Sequence, residues 1–115
     1  MKYIIPQIPP SINRFIGRKN IWAYRKNKKE WIALCTYLRK PPKPIEKASV
    51  TITFYFKDRR RHDADNYQKF LLDGLVKAGI IVDDDFEHIT VTCKGDYDRQ
   101  EPRTEIEVVE DEISV

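Results

Sequence analysis

The segments ASVTITFYF at residues 48–56 and NYQKFLLDGLVKAG at residues 66–79 decide the predicted fold. In the first segment apolar residues occupy every second position, which predicts a β-strand with one face on the core. The second segment spaces its apolar residues along one side of a helix. Asp65 or Asn66 is a suitable N-cap, and Gly79 stands where a glycine ends a helix. The centre of the chain is therefore predicted to be a strand, a polar loop and an amphipathic helix.

Two further elements are predicted before this strand. Residues 3–9, YIIPQIP, are apolar but include prolines, which predicts a short strand at the edge of a sheet. Residues 28–40, KKEWIALCTYLRK, carry apolar residues at helical spacing, and PPKP at residues 41–44 is predicted to end this helix. The stretch between them, residues 9–27, is rich in Pro, Gly and Asn and is predicted to be a long basic loop.

Two alternating segments lie near the end of the chain. HITVTCK at residues 88–94 and TEIEVVE at residues 104–110 are predicted to pair as an antiparallel hairpin across the polar linker GDYDRQEP. We therefore expect an α+β fold, with a mostly antiparallel or mixed sheet and two main helices, in a single domain over residues 1–115.

The composition is that of a globular protein with no membrane span. Hydrophobic residues make up 41% and charged residues 34% of the 115 residues. No apolar stretch approaches the ~20 residues that a membrane helix needs. Cys35 and Cys93 lack the spacing of a zinc site. A reducing cytoplasm is the expected location, because nothing resembles a signal peptide.

Charge is unevenly distributed along the chain. Up to Arg61 there are sixteen Lys or Arg against three Asp or Glu, and beyond it there are five against fifteen. Such asymmetry favours a polyanionic partner for the basic part. The alternative is that the two halves only pair with each other inside the fold.

Carboxylates gather around the loop between the central strand and its helix. Residues 59–69 read RRRHDADNYQK, and Asp83 and Asp84 follow the helix in the run VDDD. In an extended segment Asp63 and Asp65 would point to the same side, and a chain that returns along the helix could bring the second pair near the first. Several acids at one point repel one another unless a cation lies between them. Mg²⁺ prefers such oxygen ligands.

Lys69 follows Asp65 by one helical turn, and beside a metal it could hold a phosphate oxygen. Together with the arginines upstream, this set is typical of metal-assisted phosphodiester hydrolysis. Other interpretations remain open at this point. Asp63 and Asp65 could do no more than stabilise the helix N-terminus, and Asp65 could form an ordinary ion pair with Lys69. The acidic triplet at residues 83–85 could be a solvated turn. The carboxylates could also serve other metal chemistry. A DNA-binding protein without catalysis is the second functional hypothesis.

Residues 59–85 resemble the core of the RusA-type Holliday-junction endonucleases. The shared pattern is a basic run, Asp-x-Asp-Asn, a lysine one turn on, an Asp-Gly-Leu in mid-helix, and an Asp-Asp pair after a glycine-ended helix. The opening IPPSINRF at residues 8–15 is also similar to the start of that family. The resemblance implies a homodimer that depends on Mg²⁺ or Mn²⁺ and makes paired nicks in four-way DNA junctions.

The resemblance also implies roles for individual residues. Asp63, Asp65 and Asp84 match the essential metal-binding carboxylates, and Asp83 matches their acidic neighbour. Lys69 matches the lysine that stabilises the transition state. Two residues depart from the family pattern. His62 stands where an arginine is common and is interpreted as a solvated loop residue, and Asp85 is an additional acid that leaves open which of the triplet binds metal.

DNA contacts are expected from basic residues and from the motif asparagine. These candidates are Arg59, Arg60, Arg61, Lys57, Asn66, Arg14, Arg18, Lys19, Arg25 and Lys26, with Lys28 and Lys29 beside them. Phe15, Trp22 and Tyr24 are interleaved with these residues and could stack on exposed bases or pack under the loop.

Overall fold

The computed structural model describes residues 1–12, 21–60 and 62–111, and it confirms the predicted α+β fold. The strands are β1 (Lys2–Ile5), β2 (Ala48–Phe56), β3 (Ile89–Tyr97) and β4 (Arg103–Glu110); the helices are α1 (Ile21–Thr36) and α2 (Lys69–Lys77), with a short 3₁₀ helix at Ala64–Tyr67. The four strands form one mixed sheet in the order β1-β4-β2-β3. The predicted edge strand near the N-terminus is confirmed, since β1 pairs with β4 alone and Pro6 follows it.

The predicted hairpin between the last two strands is wrong. Strand β3 pairs in parallel with β2, from Ala48↔Ile89 to Phe56↔Tyr97, and β4 pairs antiparallel with the other edge of β2. The cause is the central position of β2, which buries every second side chain and takes a neighbour on both sides. Part of the presumed linker, Gly95–Tyr97, belongs to β3. Helix α2 supplies the crossover that a parallel pair requires.

Helix α1 is longer at its N-terminus than the sequence pattern predicts. It begins at Ile21, so the prediction of a loop is wrong for residues 21–27, while residues 13–20 lie outside the described part of the chain. The segment IWAYRKN contains no glycine or proline, so nothing in it opposes a helix. Trp31 and Cys35, one turn apart, bury the inner face. The helix ends at Thr36, ahead of the prolines.

Helix α2 begins later than predicted and ends where predicted. Its N-cap is Gln68, so the prediction of Asp65 or Asn66 as N-cap is wrong; the 3₁₀ helix occupies those positions. Gly79 has a φ of 81°, which confirms it as the terminating glycine. Ile80 N–H donates to the Leu75 carbonyl at 3.0 Å, and Gly79 N–H donates to the Val76 carbonyl at 3.1 Å. This paired closure turns the chain back toward the sheet.

Both helices contribute to one hydrophobic core against the sheet. The core includes Phe54 from β2, Phe70 and Leu75 from α2, and Trp31 from α1. At Gly74 an added Cβ would lie 2.6 Å from Cys35 Sγ, so the absence of a side chain there lets the two helices approach closely. Within the described ranges, no helix is long and apolar enough to cross a bilayer.

Candidate active site

Asp63 and Asp65 lie at the start of the segment that joins the sheet to α2. Asp63 is the extended residue before the 3₁₀ helix, with φ −90° and ψ 104°, and its carbonyl accepts the Asn66 N–H at 2.9 Å. Asp65 stands in the first turn of the 3₁₀ helix. The prediction that one extended segment carries both acids is therefore wrong, because the helical turn begins at Ala64. Both side chains are exposed.

The Asp65 carboxylate lies close to strand β3. Burial, and after it the charge of Asp65, raises the pKa of the Cys93 thiol to about 11. The thiol donates to Gln68 Oε1 at 2.8 Å. A neutral Cys93 thus fixes the residue that precedes α2, and the first turn of the site is attached to the sheet.

Lys69 pairs with Asp73 and not with Asp65. Its Nζ lies 3.3 Å from Asp73 Oδ1, one turn further along α2. Burial lowers the pKa of Lys69, but the charge and hydrogen bond of Asp73, with smaller contributions from Tyr24 and Asp84, outweigh burial, so the pKa is raised. Lys69 is therefore held in place and kept cationic by a residue that sequence analysis gave no role.

Asp73 is the side chain that ties the site together. It is largely buried, and its second oxygen, Oδ2, is buried without a hydrogen-bond partner among the described residues. A buried oxygen of this kind costs ~1–3 kcal/mol. Unsatisfied polar groups are rare in folded proteins, and one beside a catalytic candidate calls for a functional explanation.

Asp84 returns to the same face of α2. Burial raises its pKa, a hydrogen bond with Asp83 and the charge of Asp73 raise it further, and Lys69 partly offsets them. The structure thus brings Asp84 into the electrostatic neighbourhood of Lys69 and Asp73. The chain that follows Gly79 makes this possible, since Ile81 bridges in parallel to Ile45 before the acidic triplet.

Asp85 orders the acidic loop. Its Oδ1 accepts the backbone N–H groups of Glu87 and His88, each at 3.0 Å, and lies 2.6 Å from His88 Nδ1. The hydrogen bond with His88 lowers the pKa of Asp85, and the same bond raises the pKa of His88. Asp85 is thereby occupied within its own turn.

The predicted metal ligands do not form one compact set. Within residues 1–12, 21–60 and 62–111, Asp83, Asp85 and His88 are the one group of three whose possible ligand atoms all lie within 4.8 Å of one another. The set of Asp63, Asp65, Asp83 and Asp84 stays a prediction. The excess of negative charge around Asp84 and the unpartnered oxygen of Asp73 nevertheless fit a hard divalent cation with oxygen ligands.

His62 is a packed residue, so its interpretation as a solvated loop residue is wrong. Its side chain is 20% exposed and stacks on Phe56, with ring centroids 4.0 Å apart and planes 9° apart. One ring nitrogen lies 3.0 Å from Asp58 Oδ1 and the other 3.1 Å from the Tyr67 hydroxyl. His62 therefore anchors the loop that leads into Asp63.

The basic candidates fall into two described groups. Lys57, Arg59 and Arg60 are exposed on the loop after β2. Arg25 and Lys26 are exposed on α1, where the Arg25 guanidinium lies 5.7 Å from the ring centre of Trp22. Asn66 is half-buried in the 3₁₀ helix. The remaining candidates, Arg14, Arg18, Lys19 and Arg61, together with Phe15, lie outside the described residues.

Asp73 is part of the Asp-Gly-Leu pattern shared with the family, but the sequence-based predictions assign it no role, although a signal for one exists. In the segment KFLLDGLVK the aspartate is the one acidic residue of a helix whose neighbouring residues Leu72 and Gly74 are buried. A lone carboxylate on a buried helix face is expensive unless it has a task. That signal predicts a functional or ion-paired residue at position 73.

One comparison with known proteins identifies a family. A family model described as endodeoxyribonuclease RusA matches residues 8–109, which include both helices, strands β2 and β3, and all of β4 except its last residue. The comparison with curated proteins gives no match.

Proposed function

The chain belongs to the RusA family of endodeoxyribonucleases, and from this premise we propose that it resolves four-way DNA junctions by paired, divalent-metal-dependent nicks in recombination and repair. The observation that carries the proposal beyond the family is the proximity of Asp84, in the loop after α2, to Lys69 and Asp73 of α2. The ammonium of Lys69 and the two carboxylates would suit a phosphate and its metal ion.

Asp63, Asp65 and Asp84, with Asp83 beside them, would hold Mg²⁺ or Mn²⁺. Asp63 and Asp65 would have to reach this shared ion by rotation of their exposed side chains. A bound divalent ion supplies Lewis-acid polarisation of the scissile phosphate and a nucleophilic water at neutral pH. Asp84 would bind the ion as a carboxylate, and the neighbouring carboxylates that raise its pKa make cation binding more favourable.

Lys69 would donate to a non-bridging phosphate oxygen as negative charge builds there. Asp73 Oδ1 lies 3.3 Å from Lys69 Nζ and keeps the ammonium group protonated. The lysine side chain is therefore already positioned before the substrate binds. Lys57, Arg59, Arg60, Arg25 and Lys26 would contact the phosphate backbone. Two copies of the chain would give a two-fold dimer, which matches the approximate two-fold symmetry of a four-way junction.

A synthetic four-way junction tests the proposal directly. With Mg²⁺ the protein is expected to nick two opposite strands, and with EDTA it is expected to bind without cutting. Asp63→Asn should abolish nicking yet keep or tighten binding, because it removes a negative charge near phosphate. Normal nicking by Asp63→Asn would refute the assigned metal ligands.

The competing function is junction binding without catalysis, which the lack of a compact set among the four predicted ligands favours. It makes a different prediction in the same experiment. Junction binding would persist, and neither Mg²⁺ nor Mn²⁺ would produce nicks at any protein concentration. Isothermal titration of Mn²⁺ against the wild-type protein and Asp84→Asn separates the two functions independently of activity, because only the nuclease requires a site that Asp84→Asn weakens.

A further inference from the structure

A second feature lies beside the candidate active site, on the helix-covered face of the sheet. It is a cleft of about 470 Å³ formed by the end of β2, the loop after it and the end of β3. Its lining includes Phe56, Arg59, Arg60, Gly95 and Tyr97. A volume in this range accommodates a small ligand such as one nucleotide.

The cleft is continuous with the site through strand β3. Cys93, which lies near Asp65, faces the same side of the sheet as Gly95 and Tyr97, because side chains two apart in a strand share a face. At a rise of ~3.3 Å per residue, Tyr97 lies ~13 Å along the strand from Cys93. A DNA strand whose scissile phosphate is at Asp65 would therefore pass the cleft with a nucleotide a few positions away.

The chemistry of the cleft suits a base and its phosphate. Tyr97 is 37% exposed, and the Arg59 guanidinium lies 4.7 Å from its ring centre. The two carboxylates in the lining are occupied locally: Asp58 accepts the Arg60 N–H at 3.0 Å, and Asp96 accepts the Tyr97 N–H at 2.7 Å. These bonds hold the carboxylates in place without removing their charge, so the two arginines balance them and offer guanidinium donors at a cleft that has an aromatic surface.

Gly95 keeps the cleft open. A Cβ at this position would lie 3.4 Å from Phe56 Cε2, so any larger side chain would extend into the cleft over that ring. The residue lies within strand β3, and its φ is not positive, so a side chain would cause no backbone strain. A side chain at this position would therefore narrow the cleft beside Phe56.

We propose that this cleft binds one unpaired nucleotide at the branch point of the DNA, with the base stacked on Tyr97 and the phosphate held by Arg59 and Arg60. The proposal rests on the proposed function and names how that function recognises a branched substrate. Base stacking on an aromatic side chain strengthens binding about 5- to 150-fold. An exposed cation–π contact favours its bound state only about two- to fivefold, so a stacking base is expected to displace Arg59 from the ring of Tyr97. The arginine is then available to bind the phosphate.

The test measures binding of the full chain in EDTA to a four-way junction that carries the fluorescent adenine analogue 2-aminopurine at its branch point. The same sequence as a continuous duplex is the reference. Wild-type protein is expected to quench the fluorophore as the base stacks on Tyr97. Tyr97→Ala should weaken junction binding about 5- to 150-fold, abolish the quenching, and change duplex binding by less than about twofold.

Gly95→Val repeats the test while Tyr97 stays in place. Valine is chosen because it is well suited to a strand and because its side chain would extend into the cleft. It should give the same selective loss. Tyr37→Ala is the matched control, because Tyr37 is 90% exposed beyond the end of α1 and should change neither binding nor quenching. Circular dichroism of each variant checks that it is folded.

Two results would overturn the nucleotide site while the proposed function stands. In the first result, both Tyr97→Ala and Gly95→Val bind the junction as tightly as the wild-type protein and quench the fluorophore to the same extent. In the second result, Arg59→Ala loses equal affinity for junction and for duplex, and the wild-type protein does not quench the fluorophore. The cleft would then contact only the DNA backbone. Failure of the wild-type protein to bind the junction at all would overturn the proposed function as well.

Discussion

Asp73→Ala is expected to make the protein more stable and less active. The substitution removes the buried oxygen that has no partner, which relieves ~1–3 kcal/mol. It loses an i,i+4 ion pair with Lys69, which is 46% exposed, and such a pair contributes only ~0.3–0.5 kcal/mol. Alanine also favours the helix by up to ~0.7 kcal/mol over aspartate. The net effect is a gain of about 0.5–3 kcal/mol.

Urea unfolding in EDTA measures this gain, and at this chain length it corresponds to a rise in Tm of about 4 °C per kcal/mol. Asp73→Asn is the control, because it replaces the unpartnered oxygen by an amide with equally few partners and should not stabilise. Nicking by Asp73→Ala should fall about 10- to 100-fold, since Lys69 loses the group that orients it. A loss of stability above about 1 kcal/mol in Asp73→Ala would show that the Asp73 carboxylate stabilises the fold, against this prediction.

Three further substitutions test other parts of the structure. Gly74→Ala places a methyl group 2.6 Å from Cys35 Sγ and should lower the free energy of unfolding by about 1–3 kcal/mol in urea, despite the better helix propensity of alanine. Lys69→Met should reduce single-turnover nicking about 100- to 1,000-fold, with junction affinity changed by less than about fivefold; an unchanged nicking rate would remove Lys69 from the mechanism. Asp85→Asn should remove a pH-dependent contribution to Tm. The pKa of His88 is raised in the fold and that of Asp85 is lowered, so their bond stabilises the fold fully between about pH 4 and 6.5. This stabilisation is lost as the pH rises through the raised pKa of His88 or falls through the lowered pKa of Asp85. Identical Tm–pH curves for wild type and Asp85→Asn would contradict this assignment.

Local sequence signals predicted most of the fold because they report burial within one element. The alternation in residues 48–56 matches the buried positions of β2, and Gly79 ends α2 with the left-handed backbone that glycine favours. The pairing of strands was not predictable in the same way. A hairpin between β3 and β4 is the shortest connection, but the parallel pairing of β2 with β3 depends on the whole of α2 packing across the sheet. Register and partner choice are therefore tertiary properties here.

The candidate site divides along the same line. Motif spacing identified Asp63, Asp65, Lys69 and Asp84 because a family pattern fixes their positions in the sequence. It could not show that Lys69 turns toward Asp73, because i,i+4 spacing allows either neighbour until the start of α2 is known. Since α2 begins at Lys69, only Asp73 lies one α-helical turn from it.

The position of Asp73 links the stability of α2 to the proposed chemistry. A helix that buries Phe70, Leu71 and Leu75 would be more stable with an apolar residue between them, and an aspartate there leaves one oxygen without a partner. A charge in such a place costs stability unless a cation compensates it. Lys69 compensates one oxygen, and the nearby Asp84 adds more negative charge to the group. Under the proposed function, this unbalanced charge is the expected state of a site that is completed by a bound divalent cation.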